Sequence, residues 1–508
     1  MKNSNLLDYL YDCRWCSFKE DIRNNAVCDV VLEKKTFDDG RKLFVLGQAL
    51  GADGKPRFFS MPLQRKGAIP QDGKFVVLNG EIYTDALLEP DFWQSWNRLI
   101  AENDGFVRFD NGWTLEAVSF SEETVVADNA DEYSKPLGVE QSNTTLNVGG
   151  KIAFKLERMI EFSDDINSEF EMNQKLMREG CRVMPKTYSG YVWRQPNGQQ
   201  AAAGIVQEFV PNRGDLWNYA LNYLEEKLKD GYLHQRVLKA EDNQSFMRVV
   251  RNLSEKTREM GECLSRMDEN PNFMPEDVND GFIRGYGKQM DVLLYKTQRA
   301  IALNLDRLPE PTRSQAAELL KNWNELTSDF VGRRMSQIRM MENKGTINRV
   351  HGDFHLGQVM VTKDEDLRFI DFAGEPDLPM EQRKQKHIFV RDVAGMYRSI
   401  KGYLGAVAVE NFAASAPSAE VAAERKVWAG KAIKPLIDSA SRAFLGEKKV
   451  NDPWLSLEIL RKNLYEVNYE VNNRPQMAYV PISGLSELLV PPSAANMNIK
   501  SIDNSNVI

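Results

Sequence analysis

Two short stretches of this chain bring together the residue types that phosphoryl transfer requires. One is His351-Gly352-Asp353-Phe354-His355-Leu356-Gly357-Gln358, the other Phe369-Ile370-Asp371-Phe372. Moving a phosphoryl group onto a hydroxyl takes a base beside the nucleophile, a cation against the phosphates and exclusion of water. Asp353 offers a carboxylate as the base. Gln358 and Asp371 offer an amide oxygen and a carboxylate, hard ligands that Mg²⁺ accepts. Taken alone, a His-Gly-Asp tripeptide is better read as a loop carboxylate beside a structural histidine. The spacing of the whole set favours the catalytic reading, with His351 holding the loop by a backbone hydrogen bond.

An Asp followed five positions later by a metal-ligating amide is also the spacing of the eukaryotic protein-kinase catalytic loop. A hairpin count supports the metal pair. Residues 359–362 and 367–370 are strand-like, and Lys363-Asp364-Glu365-Asp366 is a polar loop between them. A four-residue loop sets Thr362 opposite Leu367 and, counting outward, Gln358 opposite Asp371, within the ~5 Å of a cross-strand pair. Binding ATP further asks for a lysine that neutralises phosphates, positioned by a helix glutamate. Lys155, on a strand after the Gly149-Gly150 turn, and Glu171, in the following helix, are the candidates. A lone exposed lysine is more often a solvated one; its place in the order lysine, glutamate, His-Gly-Asp, Ile-Asp-Phe favours function. No G-x-G-x-x-G precedes Lys155, so Ser142-Asn143-Thr144 is the segment set to cover the phosphates.

The elements that must hold these residues read as an α+β chain. Residues 26–32, 42–46, 75–78 and 113–120 alternate or run apolar between turn residues, which predicts strands. A helix over 91–100 follows Pro90 and puts Phe92, Trp96, Leu99 and Ile100 on one face. Residues 128–135 read as a linker, and 53–74 as extra polar length. Beyond it, 144–148 and 151–156 make a hairpin, 168–178 a helix and 205–209 a strand. From residue 215 the pattern is mainly helical, with an Ala-rich stretch over 406–423 that is part helix, part loop. The implied divisions are a cap over 1–128, a nucleotide lobe over 129–212, a helical lobe over 213–490 and a tail over 491–508 without core-forming pattern.

Composition sets outer bounds. The chain has 508 residues, an apolar share of 42% and a net charge of −8. That length exceeds one compact core. The acidic balance argues against nucleic acid as a partner, since phosphate binding needs a basic surface. No apolar run approaches the ~20 residues of a membrane helix, and the start of the chain lacks a signal-peptide core, so no membrane partner and a cytoplasmic location are expected. Five cysteines form no disulfide framework.

Read as a whole, the sequence resembles the bacterial maltokinases, a branch of the aminoglycoside-phosphotransferase-like kinases. The likeness rests on Arg14-Trp15, Tyr83-x-Asp85-Ala86-Leu87, Gln141-Ser142-Asn143-Thr144 and Val206-Gln207-Glu208-Phe209-Val210-Pro211. It continues through the His351–Gln358 loop, Gly374-Glu375-Pro376, Arg391-Asp392, Leu464-Tyr465-Glu466, Tyr469-Glu470 and Asn473-Arg474-Pro475. It implies a bilobal protein-kinase-like fold with a β-rich N-terminal cap and ATP in a cleft between lobes. Backbone at Gln207, Glu208 and Phe209 would contact adenine. The implied reaction is phosphorylation of maltose to maltose 1-phosphate, with trehalose synthase as a functional neighbour. On helix Pro453–Asn473, Tyr469, Glu470 and Asn473 are the sugar-contacting candidates, joined by His355; an amphipathic helix with a solvated face explains each nearly as well. Arg391-Asp392 is read as bracing the catalytic loop.

Departures from the family pattern bear on the acceptor. Ala373 stands where a glutamate usually follows the Asp-Phe of the metal strand. A glucosamine kinase on the same scaffold is the nearest alternative, an aminoglycoside phosphotransferase a further one, and a nucleotide-binding pseudokinase the alternative without catalysis.

Overall fold

The computed structural model describes residues 4–27, 29–71, 73–120, 133–137, 143–375, 378–446 and 452–489. The chain divides into two compact units, Met1–Pro211 and Asn212–Ile508.

The first unit is β-rich. Its first sheet orders Asp29–Phe37, Lys42–Leu50, Pro56–Lys66, Glu81–Asp85 and Val76–Leu78, with Met159–Ile160 also pairing Pro56–Lys66. Lys42–Leu50 is buried on both faces. Its alternation sends Leu43, Val45 and Ala49 into a cluster with Leu6, Leu10, Trp15 and Phe59. Phe44 and Leu46 enter a second cluster with Trp96, Phe154 and Trp193. This is the strand period of two serving two cores. Gly47 is needed where it stands, because a Cβ there would come within 2.0 Å of the Phe59 ring.

Pro56–Lys66, read from the sequence as extra polar length, is an eleven-residue strand near the sheet's middle. Its prolines hide it. Pro56 is the first residue, where no ladder bond is lost. Ser60 N donates to Arg158 O at 2.8 Å, so alternation turns the Pro62 nitrogen to that same side. There it falls between the Met159–Ile160 pairing, which ends at Phe59, and the Glu81–Asp85 pairing, which begins at Leu63.

The second sheet has seven strands, ordered Phe106–Arg108, Thr114–Ser119, Thr187–Arg194, Gln200–Glu208, Ile152–Glu157, Asn143–Val148 and Ser134–Pro136. It crosses the division drawn at residue 128, since Phe106–Arg108 and Thr114–Ser119 belong to it. Ser134–Pro136, which begins inside the expected linker over 128–135, is its edge strand, too short to show a period. Helices Phe92–Glu102 and Ser168–Arg178 form as the apolar spacing predicts.

The second unit is mainly helical. Helix Pro453–Asn473 runs through its core, with Leu457, Leu460, Leu464, Val467 and Val471 buried among residues of Asp280–Asn304 and Trp323–Met340. The Asp452 carboxylate caps it by accepting from Leu455 N at 2.9 Å. Two three-stranded sheets frame residues 349–358. Thr346–Asn348, between Glu276–Asp277 and His387–Ile388, leads into that loop. Val359–Thr362, between Asn212–Asp215 and Leu367–Phe369, leads out of it. Among the described residues no helix is long and apolar enough to cross a membrane.

Candidate active site

The loop carrying Asp353 is held from below by one buried carboxylate. Asp392, near the start of helix Val390–Arg398, accepts from His351 N at 2.8 Å and Gly352 N at 2.9 Å, one on each oxygen. Burial pushes the Asp392 carboxyl up, against the pull of His351 and of these two amide donors. His351 adds a tie of its own, its Nε2 lying 3.0 Å from Ile370 O. Gly352 has φ +87° and its Cβ would meet Gly374 at 3.2 Å. Only glycine fits both the backbone and the space. Farther along, Leu356 N donates to Ser399 Oγ at 3.3 Å.

The hairpin after the loop is tighter than the residue count suggests. Thr362 N donates to Asp366 O at 2.8 Å and Glu365 N to Thr362 O at 3.0 Å, with Glu365 at φ +63°. The loop therefore has three residues, a turn closed by a left-handed one. Val361 pairs with Leu367 and Val359 with Phe369, so Gln358 stands opposite Ile370, one residue off the expected register. Gln358 and Asp371 meet all the same. Asp371 leaves the strand in the left-handed region, at φ +65°, and its Oδ2 accepts from Gln358 Nε2 at 3.1 Å. A positive φ at a residue with a side chain costs energy and is typical of functional sites. Among the described residues no group of three or more His, Cys, Asp and Glu could hold a metal. An amide and one carboxylate still suit Mg²⁺, which keeps waters and phosphate oxygens for its other positions. Its binding would require the Gln358 amide to turn its oxygen toward Asp371.

The Asp353 carboxylate has two different sides. Lys462, from helix Pro453–Asn473, places Nζ 3.3 Å from Oδ1, while His355 Nε2 lies 3.8 Å from Oδ2. Burial raises the Asp353 pKa, but Lys462, His355 and His351 outweigh it and hold the group below its ordinary value. His355 Nδ1 accepts from Gly357 N at 3.1 Å. In the neutral ring that puts the hydrogen on Nε2, which faces Asp353. Burial keeps the ring's pKa low despite the nearby Asp353 and Asp371. A base oxygen and an N–H donor thus stand side by side. Lys462 carries no mark in the sequence, because it lies 109 residues from Asp353, on a separate helix.

The other candidates on that helix divide. Glu470 is buried and structural in its contacts. It accepts from Arg474 Nη2 at 2.6 Å and Nε at 3.0 Å, and from the Tyr403 hydroxyl at 3.1 Å. Tyr469 is exposed, with Arg474 over its ring at 5.2 Å. Asn473 is exposed and donates to Tyr469 O at 2.9 Å. Glu466 is locked to Arg398 in a buried two-bond pair at 2.9 and 2.7 Å.

In the first unit, Lys155 lies on the half-exposed face of Ile152–Glu157. Its Nζ is 2.5 Å from Glu169 Oε2. Glu169, not singled out from the sequence, sits two residues before Glu171 in helix Ser168–Arg178, and both are buried. Thr144 faces the interior, its hydroxyl accepting from the buried Arg158 Nε at 3.0 Å; Arg158 in turn holds Asp85. Asn143 is half-buried, and Ser142 lies outside the described residues. The Gln207 side chain donates to Asn173 Oδ1 and Thr187 Oγ1, both at 3.0 Å. Glu208 N donates to Lys186 O at 2.7 Å and Phe209 N to Lys151 O at 2.8 Å, so these two amides are already used.

No protein-family profile matches the chain. A glucosamine kinase from Streptacidiphilus jiangxiensis is 33% identical over 144 residues, 28% of this chain and 31% of that protein. That alignment spans less than a third of the relative's length. A glucosamine kinase from Mycolicibacterium smegmatis is 23% identical over 361 residues, 70% of this chain and 79% of that protein. Among solved structures, a glucosamine kinase in complex with glucosamine, ADP and inorganic phosphate is similar with a TM-score of 0.59 at 18% identity, covering 96% of this chain and 100% of that one. At such identity the likeness is one of fold. The β-rich first unit and the helical second unit together have the fold of a glucosamine kinase.

Proposed function

We propose that the chain is an ATP-dependent sugar phosphotransferase in which Asp353 is the base. The observation that carries this reading is the asymmetric Asp353 carboxylate, kept ionised on a loop clamped by buried Asp392. Oδ2 accepts the proton of the acceptor hydroxyl, whose oxygen bonds to the γ-phosphorus as the bond to the β-phosphate oxygen breaks and ADP leaves. His355 Nε2–H orients the acceptor through a neighbouring oxygen. Gln358 and Asp371 are the residues that would hold Mg²⁺, which supplies charge neutralisation at the phosphates. Lys155, positioned by Glu169, is assigned to the α- and β-phosphates.

Glucosamine is the first acceptor to test, because both relatives and the full-length structural match carry that name. The motifs from Gly374-Glu375-Pro376 to Asn473-Arg474-Pro475 keep maltose as the second reading. ADP release measured with glucosamine, maltose, glucose and trehalose separates them. Turnover on glucosamine without maltose supports the first reading, and the reverse supports the second. Release that no sugar stimulates contradicts both.

A further inference from the structure

We propose that Lys462 is a positioning residue for the base, occupying Asp353 Oδ1 so that Oδ2 alone is presented to the acceptor hydroxyl. This deepens the phosphotransferase reading and rests on it. The ammonium reaches Oδ1 at 3.3 Å from the rigid central helix, and its side chain is 11% exposed against 20% for Asp353. Its place is fixed from a second direction, since Nζ lies 4.9 Å from the centre of the Tyr465 ring. The neighbouring cation cannot substitute for it. Arg461 is committed to Glu458 at 2.7 Å and to Glu375 at 3.4 Å. Nor can His355, whose low pKa keeps it neutral near pH 7. Among the described residues, Lys462 is thus the permanent positive charge in contact with the base.

The arrangement divides labour between the two oxygens. An unrestrained carboxylate rotates and presents either oxygen, and reactive geometry is lost by displacements of about 1 Å. With Oδ1 held, the lone pairs of Oδ2 point into the 3.8 Å gap beside His355 Nε2. The groups facing Asp353 are the charged Lys462 and the titratable His355 and His351, with Glu375 opposing them. Removing the ammonium leaves burial and Glu375 less opposed, so the carboxyl titrates at higher pH.

The test is the pH dependence of kcat/KM in Lys462→Met, Lys462→Gln and Lys462→Arg, beside Asp353→Asn. An opposite charge this close moves a carboxyl by about one to three units. Lys462→Met is expected to move the acid limb up by about one pH unit and to cut kcat at least tenfold, with ATP affinity unchanged. Lys462→Arg keeps the acid limb at its wild-type position. Lys462→Gln can still donate to Oδ1 and separates charge from contact: the acid limb moves as in the methionine variant while more of kcat survives. It also serves if the methionine variant does not fold. A wild-type acid limb and kcat in the uncharged variants overturn the role of Lys462. Full turnover in Asp353→Asn overturns Asp353 as the base, and absence of sugar-stimulated turnover in the wild type overturns the phosphotransferase reading itself, which keeps these failures distinct from that of Lys462.

Discussion

Asp392 Oδ1 accepts the amide hydrogen of Gly352 at 2.9 Å, one residue before Asp353. With His351 N on the other oxygen, a side chain on a separate helix sets the backbone path of the loop. Asp392→Ala strands one buried and one part-buried amide, at about 1–3 kcal/mol each. Urea denaturation is expected to show a loss of about 2–6 kcal/mol, and turnover should fall at least a hundredfold in protein that still folds. Unchanged turnover would mean that the loop holds its path without this clamp.

The Arg398–Glu466 pair makes a prediction about stability alone. Both side chains are nearly buried and share two hydrogen bonds. Removing one partner leaves a buried charge, so Arg398→Met should cost about 3–5 kcal/mol by chemical denaturation. The double variant Arg398→Met/Glu466→Met should recover much of that loss. Additive losses would show that the pair is not coupled.

Glu470, a sugar-contacting candidate by sequence, has its oxygens occupied by Arg474 and Tyr403. Glu470→Gln is therefore expected to lower Tm by a few degrees, since a loss of 1 kcal/mol shifts a domain of roughly 150–250 residues by about 2–4 °C and a larger one by less, and to leave the sugar KM within about twofold. A tenfold rise in KM with unchanged Tm would restore Glu470 to the acceptor site.

Lys155 makes its 2.5 Å ion pair with Glu169. Glu169→Gln should weaken ATP binding about tenfold, the loss of one charge-assisted contact of about 1.5 kcal/mol. Nucleotide affinity measured by calorimetry checks this. A larger effect from Glu171→Gln than from Glu169→Gln would return the positioning role to Glu171.

Much of this was legible in the chain and some was not, for local reasons. Helix Ser168–Arg178 and the hairpin across Gly149-Gly150 follow from strong periods and turn residues. The meeting of Gln358 with Asp371 was expected from a hairpin count with a four-residue loop; the loop has three residues, and the two side chains meet by another route. The left-handed turn at Glu365 shifts the register by one residue and the one at Asp371 brings its carboxylate back to Gln358, so the two departures offset each other. Glu169 and Glu171 are both buried on one short helix, so the helical period could not choose between them. Lys462 was hidden by distance along the chain. Pro56–Lys66 was hidden by prolines set where sheet pairing leaves room for them.

The direct measurement is single-turnover transfer of labelled γ-phosphate from ATP to sugar by the wild-type chain and by Asp353→Asn. Transfer to a sugar hydroxyl by the wild type is predicted, with a loss of at least a hundredfold in Asp353→Asn while ATP affinity stays within about threefold; removing a positioned base costs about 10²–10⁴ in rate. Transfer at the wild-type rate in Asp353→Asn would contradict the assignment of that carboxylate as the base.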